Sequence, residues 1–429
     1  MPTPPAIETR ADARHLLGMP AARFLRDYWQ KRPLLIRGAF AGFRNPVAPE
    51  DLAGLACEEL ALSRIVIEHR SHDGGRGGAR AGASRWELRN GPFAEADFAE
   101  LPKTHWTLLV QDVDKWDADV AALLPHFAFL PSWRIDDVMI SYAEDGGSVG
   151  AHVDQYDVFL LQGLGRRRWQ ISTDASASKE FRTDAELKLL REFVPTHEWV
   201  LEPGDMLYLP PGVPHHGVAL GACMTYSIGM RAPSQAELLV DFAETLAERI
   251  PDSSRLGDPD LAPSRGDGEI DDAAIARVTA AMPWLLIDAG SKDEKHAGSD
   301  GGHPGKADAS LLRTWFGRFI TRYRSAQSAA PNPRRLSDAA FARAFEQGAR
   351  VRRNPWSRSA WMREGRGARL FVAGDAHACS VGFARLVCTG PEFALADVPK
   401  AAGDRDVLRA LIDAGHLALL RSSRRGNRA

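Results

Sequence analysis

Several features of membrane, secreted or zinc-binding proteins are missing from this chain of 429 residues. No run of about 18 apolar residues occurs, so the sequence predicts no membrane-spanning helix. The amino terminus, Met1-Pro-Thr-Pro-Pro, has no basic stretch followed by an apolar one and does not predict a secretory signal. The four cysteines show no Cys-x-x-Cys spacing, which argues against a cysteine zinc site and favours a reduced, cytoplasmic protein.

A large excess of charge of one sign is also absent. The 54 lysines and arginines nearly balance the 56 aspartates and glutamates, which gives a net charge of −2. A general nucleic-acid binder carries a basic excess, so nucleic acid is not an expected partner. The charge is unevenly spread, because arginines cluster over 334–369 and aspartates between Asp112 and Asp137. The acids of 112–119 would suit a basic target peptide.

The first chemical signal lies between Gly147 and Gln162, which reads as a turn followed by a β-strand. Residues two apart on a strand point to the same face, so His152 and Asp154 are expected to project together. An imidazole beside a carboxylate supplies two of the three ligands of the 2-His-1-carboxylate site of non-haem iron(II) oxygenases. Alone, such a pair is more often an ordinary surface or hydrogen-bonded pair.

A third ligand is offered downstream of this pair. The turn at Gly204 and Asp205 leads into an apolar strand, and a corner rich in proline and glycine then presents His215. This order resembles the second metal-binding motif of cupin-like double-stranded β-helix barrels. Two partial motifs in the right order are more specific than either alone, and together they favour a metal-binding barrel.

An arginine near the metal motif is expected to point into the barrel. Alternation along residues 166–171 places Arg167 on the same face as Trp169 and Ile171. A buried guanidinium is costly unless an anion pairs with it, and no acid of this strand shares that face. A bound dicarboxylate would satisfy it with two parallel hydrogen bonds. An internal salt bridge to an acid on another strand is the alternative.

The segment from Ile140 to Pro233 resembles the JmjC-type 2-oxoglutarate oxygenases, and among them the bacterial ribosomal oxygenases. The resemblance is carried by the runs His-Val-Asp-Gln-Tyr-Asp-Val-Phe, Gly-Arg-Arg-Arg-Trp, Pro-Pro-Gly-Val-Pro-His and Tyr-Ser-Ile-Gly-Met-Arg-Ala-Pro. It extends, more weakly, over nearly the whole chain. That branch hydroxylates an arginine of large-subunit ribosomal protein L-sixteen.

The resemblance implies a role for each residue of the site. Three residues take the place of Fe(II) ligands, namely His152, Asp154 and His215. By the same likeness Arg167 holds the distal carboxylate of the cosubstrate 2-oxoglutarate, and Ser141 contributes a hydroxyl to it. One departure is His216, which stands where an acidic or other polar residue is expected, and it leaves open which histidine of the pair is the ligand.

The implied function is an Fe(II)- and 2-oxoglutarate-dependent protein hydroxylase that acts on an arginine of a ribosomal protein. The residues alone leave the target open, so hydroxylation of a histidine in another ribosomal protein and demethylation of lysine are alternatives. A non-catalytic cupin-like binding or regulatory protein is a third alternative. Such a protein would not need an inward-pointing arginine beside the metal strand.

The predicted fold class is α+β with several domains, beginning with a jelly-roll, cupin-like JmjC barrel. A helix over 8–30 and another over 49–61 are expected to lead into this barrel, which completes a catalytic domain at 1–233. Short strands sufficient for the barrel are predicted at 63–69, 106–110, 135–141, 154–162, 166–172, 197–201, 206–210 and 218–230. A hairpin-like turn is expected between the strands on either side of 163–165.

A helical dimerisation domain at 234–330 and a winged-helix-like domain with a basic tail at 331–429 are expected to follow. The helices of the first are predicted at 235–249, 270–286 and 310–325. The wide apolar face of the last helix fits either a homodimer interface or packing on the barrel. In the second, helices are predicted at 337–345 and 404–414, and strands at 368–373 and near 380–387. We expect a structural or docking role for it, although its basic stretch would also suit DNA.

Overall fold

The computed structural model describes residues 7–70, 84–259, 272–281, 309–322, 329–333 and 335–420. The strands of this part of the chain are β1 (Glu8–Arg10), β2 (Leu34–Arg37), β3 (Ser63–His69), β4 (Arg85–Asn90), β5 (Trp106–Val110), β6 (Ile135–Ala143), β7 (Val158–Ile171), β8 (His197–Leu201), β9 (Met206–Leu209), β10 (His215–Met230), β11 (Arg350–Arg353), β12 (Ser359–Glu364), β13 (Gly367–Val372), β14 (Asp375–Cys379), β15 (Glu392–Ala394) and β16 (Leu417–Leu420).

The helices are α1 (Ala21–Asp27), α2 (Pro49–Ala56), α3 (Glu95–Ala99), α4 (Val113–Trp116), α5 (Ala118–Ala121), α6 (Gln235–Ala247), α7 (Asp272–Ala281), α8 (Ala309–Thr321), α9 (Asp338–Glu346), α10 (Val381–Cys388) and α11 (Asp404–Asp413). Short 3₁₀ turns at Leu124–Phe127 and Ser132–Arg134 lead into β6. No helix in the described ranges is both long and apolar enough to cross a bilayer.

Ten strands form one large sheet in the order β1-β2-β9-β7-β10-β6-β5-β3-β4, with β8 also paired to β7. The first pair is parallel, and the pairs from β2 onward are antiparallel. Strand β7 bonds β9 at its start and β8 at its end, while β10 pairs along both halves. The sheet encloses a continuous apolar core that includes Phe24, Ile140, Phe159 and Tyr226. Strands are therefore present at the predicted jelly-roll positions, except at 154–157.

The hairpin expected at 163–165 does not form, because the strands predicted on either side of it are one strand, β7. The irregularity is taken up by a register shift against β10 between Leu220 and Met224. Gly165 has φ +61°, and a Cβ there would lie 2.1 Å from the carbonyl oxygen of Ala222. The glycine thus permits a close approach of paired strands rather than a reversal of the chain.

The helix predicted over 8–30 is wrong for its first half. Residues 8–10 form β1 beside β2, and α1 begins only after Pro20, whose ψ is 140°. The proline ring fixes φ and removes a donor, so it suits the start of a helix and not its interior. Phe24 of α1 is fully buried in the barrel core, as the apolar spacing of this segment implied.

The other predicted helices are present, with ends that differ by a few residues. Ser234 caps α6, since its Oγ accepts from Glu237 N while the Glu237 carboxylate accepts from Ser234 N. The glycine-rich composition of 74–82 predicts a loop, and the low apolar content of 291–306 predicts a mobile segment. Both lie outside the described residues, as do the ends of the helices predicted at 270–286 and 310–325.

The apolar face of α8 is divided between the barrel and solvent. Trp315, Phe319 and Ile320 are buried against one another, and this cluster also packs with Trp133, which immediately precedes β6. This is the barrel-packing alternative for that face. Other apolar side chains of α6, α7 and α8 are exposed, namely Leu239, Val240, Ile275, Val278 and Leu312.

The last described segment forms two small sheets, β15-β11-β16 and β12-β13-β14, around a separate apolar core. The strand predicted near 380–387 is wrong, because these residues form α10. Ser380 caps it by accepting from Phe383 N at 3.1 Å. Phe383, Ala384 and Val387 are buried at helical spacing, a period that the short apolar run did not separate from a strand pattern.

Arg231 fastens the end of the barrel to α8. Its Nη1 donates to the carbonyl oxygens of Ile320 at 2.7 Å and Arg322 at 3.1 Å, and its Nη2 to that of Phe319 at 3.5 Å. The carbonyls of Phe319 and Ile320 belong to the last turn of α8 and have no partners within the helix, and that of Arg322 follows directly after it. The buried cation therefore caps α8 and complements the negative end of its dipole.

Arg231→Met should lower the melting temperature, because buried carbonyls would lose a charged donor at a cost of about 2–4 kcal/mol. Differential scanning fluorimetry measures the effect, with Arg249→Met as the control because Arg249 is an exposed arginine near the end of α6. Equal melting temperatures for the two variants would mean that this cap contributes nothing to stability.

Candidate metal and cosubstrate site

His152, Asp154 and His215 converge inside the barrel, with ligand atoms that all lie within 4.8 Å of one another. His152 Nε2 is 3.8 Å from Asp154 Oδ1, and His215 Nε2 is 3.5 Å from Asp154 Oδ2. Among the described residues no other group of His, Cys, Asp and Glu side chains has metal-site spacing. The two sequence motifs, about sixty residues apart, thus meet at one point.

The backbone reaches this arrangement without the expected strand at 154–157. His152 and His215 exchange a pair of backbone hydrogen bonds, each 3.0 Å long, as an isolated bridge. Asp154 lies in an irregular segment before β7, and its carbonyl oxygen accepts from Gly212 N at 2.8 Å. The two imidazole centroids are 4.2 Å apart. Pairing between the two motifs therefore sets the spacing of the side chains.

Backbone carbonyls fix the tautomer of both histidines. His152 Nδ1 lies 3.0 Å from Gly150 O, and His215 Nδ1 lies 2.9 Å from Val213 O. A carbonyl oxygen can only accept, so each Nδ1 carries the proton and each Nε2 is left with a free lone pair. The Nε2 atoms are those that face Asp154, and a neutral imidazole oriented in this way is the form that binds a metal.

The protonation states agree with this arrangement. Burial, together with the neighbouring His215, lowers the pKa of His152 to about 4. Burial would raise the pKa of Asp154, but the proximity of the two histidines outweighs that effect and lowers it. Near neutral pH the group offers a neutral imidazole and a carboxylate that need not lose protons before binding a cation.

The adjacent histidines 215 and 216 have different surroundings. His215 is 2% exposed and faces Asp154. His216, its neighbour on β10, turns to the other side of the strand, where its ring meets Phe193 edge-on at a centroid distance of 6.1 Å. The structure thus brings His215 and not His216 to the other two candidate ligands.

Arg167 points into the barrel, as the alternation predicted, and is 2% exposed. Its Nη1 donates to Ser141 Oγ at 3.3 Å and its Nη2 to Gly217 O at 3.3 Å, while Nε has no acceptor. Its guanidinium lies over the ring of Trp169 at 5.3 Å. No carboxylate among the described residues pairs with it, so the internal salt bridge is not formed there.

The strand opposite Arg167 is shaped to leave room for the guanidinium. Ala219 is its register partner on β10, and Gly217 faces Trp169. A Cβ at Gly217 would lie 2.8 Å from Arg167 Nε and 2.8 Å from the indole. Burial lowers the pKa of Arg167, because the cation is kept away from water. The barrel therefore holds a buried guanidinium that can still donate hydrogen bonds to a ligand.

A cavity of about 750 Å³ joins the three candidate metal ligands to Arg167 and Ser141. Asp112, Asp136 and Asp137 lie on another part of its wall. Burial, followed by the nearby charge of Asp112, raises the pKa of Asp137 to about 7. No ion pair joins Asp137 to a basic group in the described chain, so this wall can accept a cation.

Some residues of the cavity were not foreseen from the sequence. Tyr156 hydrogen-bonds Asp154 and lines the cavity, and its place two residues after Asp154 was the signal that could have revealed it. Arg358, from the segment between β11 and β12, also lines the cavity. Nothing in the local sequence marks that arginine, because it comes from more than a hundred residues beyond the barrel.

Two family models match the chain, a JmjC domain over residues 122–238 and a ROXA-like winged helix over residues 305–420. The first covers the strands that carry the candidate site, and the second covers the two small sheets and their helices. The predicted JmjC barrel and winged-helix-like fold are thereby confirmed.

Curated relatives extend this likeness beyond single domains. The chain is 37% identical over 308 residues to the ribosomal protein uL16 3-hydroxylase of Escherichia coli, across 72% of this chain and 73% of that protein. It is 36% identical to a probable ribosomal oxygenase of Haemophilus influenzae, across 62% of this chain and 63% of that protein.

Solved structures of the Escherichia coli ribosomal oxygenase YcfD have the same fold over nearly the full chain. One X-ray structure superposes with a TM-score of 0.74 at 30% identity and covers 94% of this chain and 99% of that one. Another, with cobalt and 2-oxoglutarate, gives a TM-score of 0.71 at 31% identity with the same coverage. From the family models, the identity and the shared fold, the chain belongs to the JmjC-domain ribosomal oxygenases.

Proposed function

We propose that this protein is an Fe(II)- and 2-oxoglutarate-dependent oxygenase that hydroxylates an arginine of ribosomal protein uL16, the large-subunit protein L-sixteen. The observation that carries the proposal is one cavity with three convergent metal ligands at one point and a buried, unpaired arginine at another. A hydroxylase of this class needs both, because the cosubstrate must reach the metal and be anchored by its far end.

The donor set fits a first-row divalent metal, and we assign it to Fe(II). Metal–ligand bonds of about 2.1 Å at right angles place neighbouring ligand atoms roughly 3 Å apart. The separations of 3.5 and 3.8 Å from Asp154 to the two imidazoles need only small shifts to reach this value. Two imidazoles and one carboxylate with further positions open are the ligands of non-haem iron oxygenases.

The surroundings of Arg167 fit a dicarboxylate such as 2-oxoglutarate. Two of its nitrogens are held by Ser141 and Gly217, and both contacts are long, at 3.3 Å. A carboxylate in the cavity would accept shorter, charge-assisted bonds from the guanidinium and a further one from the Ser141 hydroxyl. These residues would then compensate for the buried positive charge.

Bound iron and 2-oxoglutarate would supply the oxidation, in which 2-oxoglutarate loses CO2 and takes one atom of dioxygen to become succinate, while the other atom enters a C–H bond of the target. The chain itself binds, orients and excludes water. Arg167 and Ser141 would hold one end of the cosubstrate, which sets its orientation toward the His-Asp-His group. Val158 and Leu160 line the same cavity and are 3% and 5% exposed, so this part of it is screened from solvent.

The acidic wall of the cavity supports a cationic target side chain. Asp136 and Asp137 line it, and Asp137 has no basic partner among the described residues. A guanidinium placed there would favour the ionised carboxylate and form paired hydrogen bonds. A histidine or a methylated lysine would use fewer of these acceptors, which favours arginine over the other targets.

The domain boundaries at 233 and 330, a homodimer and a cytoplasmic location are also part of the proposal. The dimer is supported by the exposed apolar side chains of α6, α7 and α8, which the single chain leaves in water. The location is supported by four cysteines without a disulfide among the described residues and by the ribosomal target.

Incubation with uL16, Fe(II) and 2-oxoglutarate should add the mass of one oxygen atom to uL16, with the change on an arginine. His152→Ala, Asp154→Ala and His215→Ala should abolish it, because each removes a metal ligand, whereas His216→Ala should retain activity and serves as the matched control. Intact-mass measurement followed by peptide fragmentation checks each result. Unmodified uL16 with fully metallated wild-type protein would contradict the proposed function.

Arg167→Ala should weaken 2-oxoglutarate binding by roughly tenfold to several hundredfold, since a charge-assisted pair would be lost. Iron affinity should hardly change, and Arg167→Lys should recover only part of the loss because an ammonium cannot make two parallel bonds. Anaerobic titration of the iron complex by its charge-transfer absorption measures this. Wild-type cosubstrate affinity in Arg167→Ala would require another anchor.

Leu239→Glu with Val240→Glu should convert a dimer of this protein to monomers, because both side chains are exposed on α6 at 69% and 58%. Leu60→Glu is the control, since Leu60 is 61% exposed but lies outside these helices. Light scattering coupled to gel filtration gives the masses. A wild-type monomer at micromolar concentration would contradict the dimer and leave the catalytic proposal intact.

A further inference from the structure

The segment between β11 and β12, residues 354–358, reaches from the winged-helix domain to the cavity of the barrel. At its end, Arg358 Nη2 donates to the carbonyl oxygen of Asp136 at 3.0 Å and forms an ion pair with Asp136 Oδ1. The Arg358 side chain is 15% exposed and that of Asp136 38%. Both residues line the cavity that holds the candidate metal ligands.

This segment is braced within its own domain. Asn354 N donates to His416 O at 2.9 Å, and Asn354 Nδ2 donates to Gly415 O at 3.0 Å. The Ser357 hydroxyl and His416 Nδ1 are 2.8 Å apart. The carbonyl oxygen of Arg358 accepts from Ala373 N at 3.0 Å. These hydrogen bonds fix the backbone from which the side chain of Arg358 extends.

A second contact seats the segment on the barrel. The indole of Trp356 meets that of Trp116 edge-on, with ring centroids 5.8 Å apart. Trp116 ends α4, which directly follows Asp112 of the acidic wall. Trp356 and Arg358 thus contact the two stretches of the barrel that carry the cavity aspartates.

We propose that Arg358 is a positioning residue for the substrate, acting through Asp136. The ion pair engages Oδ1, so it limits rotation of the carboxylate and leaves Oδ2 to receive a group in the cavity. A partly exposed ion pair adds little to stability, which makes orientation the more important consequence. The inference rests on the proposed function, because it takes a cationic side chain of the target protein as the group that Asp136 receives.

The proposal also gives the winged-helix domain a role in the barrel's reaction. The domain completes one wall of the substrate cavity, so its seating on the barrel is coupled to recognition of the target. This differs from a nucleic-acid role, in which the arginines of this domain would be free to contact phosphates. Here Arg358 already engages a carboxylate.

A double-mutant cycle between Arg358→Ala and Asp136→Asn tests this role. We expect Arg358→Ala to raise the KM for uL16, and the Kd of metal-free protein for uL16, by roughly threefold to tenfold. The KM for 2-oxoglutarate should stay unchanged, because the cosubstrate anchors proposed above are other residues, Arg167 and Ser141. Arg358→Lys should recover part of the loss, and in the Asp136→Asn background Arg358→Ala should add nothing.

Arg369→Ala is the matched control, since Arg369 forms an ion pair with Glu364 in the same domain, outside the substrate cavity. It should leave every constant at the wild-type value, and melting temperatures should show that each variant is folded. Additive effects in the cycle, an equal change in the KM for 2-oxoglutarate, or the same loss in Arg369→Ala would overturn the role of Arg358. A wild-type protein that neither binds nor hydroxylates uL16 would overturn the proposed function as well.

Discussion

The guanidinium of Arg167 is the constraint on which the rest of the site depends. A cation 2% exposed in a barrel core is costly unless an anion accompanies it, and the described chain provides no carboxylate for it. Instead the barrel accommodates it with a hydroxyl, a carbonyl oxygen and an indole face, and with Gly217 where any larger residue would collide. The positive charge is thus available to a bound anion, and the free protein is less stable because the charge is buried without one.

The two long strands of the barrel, β7 and β10, fix the position of Arg167 relative to the candidate metal ligands. Strand β7 carries Arg167 and β10 carries His215, and their register pairs Arg167 with Ala219 and Ile171 with His215. The backbone bridge to His152 then brings the third part of the site to the same wall. The distance from the metal ligands to the cosubstrate anchor is thus set by hydrogen bonds between strands, which are rigid on the scale that catalysis requires.

The sequence was most informative where the residue types of a motif and the alternation of apolar residues around it indicate the same structure. Arg167 was placed inside by alternation alone, and His215 by a Gly-Asp turn and a Pro-Gly corner. The His152–Asp154 pair was expected for a reason that proved wrong, since no strand runs through it and pairing with the second motif places the side chains. The hairpin at 163–165 and the strand near 380–387 were misassigned because glycine permits several backbone conformations and a short apolar run has no unique period.

The role of Arg358 could not be predicted from the sequence, since its contact with Asp136 depends on how two domains distant in sequence pack together.

The most direct test of this account is a crystal structure of the anaerobic protein with Fe(II) and 2-oxoglutarate, with diffraction recorded at the iron edge. We expect one anomalous peak per chain, about 2.0–2.2 Å from His152 Nε2, His215 Nε2 and an oxygen of Asp154. The distal carboxylate of 2-oxoglutarate should lie within hydrogen-bond distance of Arg167 and Ser141. Iron bound by His216, or a cosubstrate carboxylate directed away from Arg167, would contradict the account.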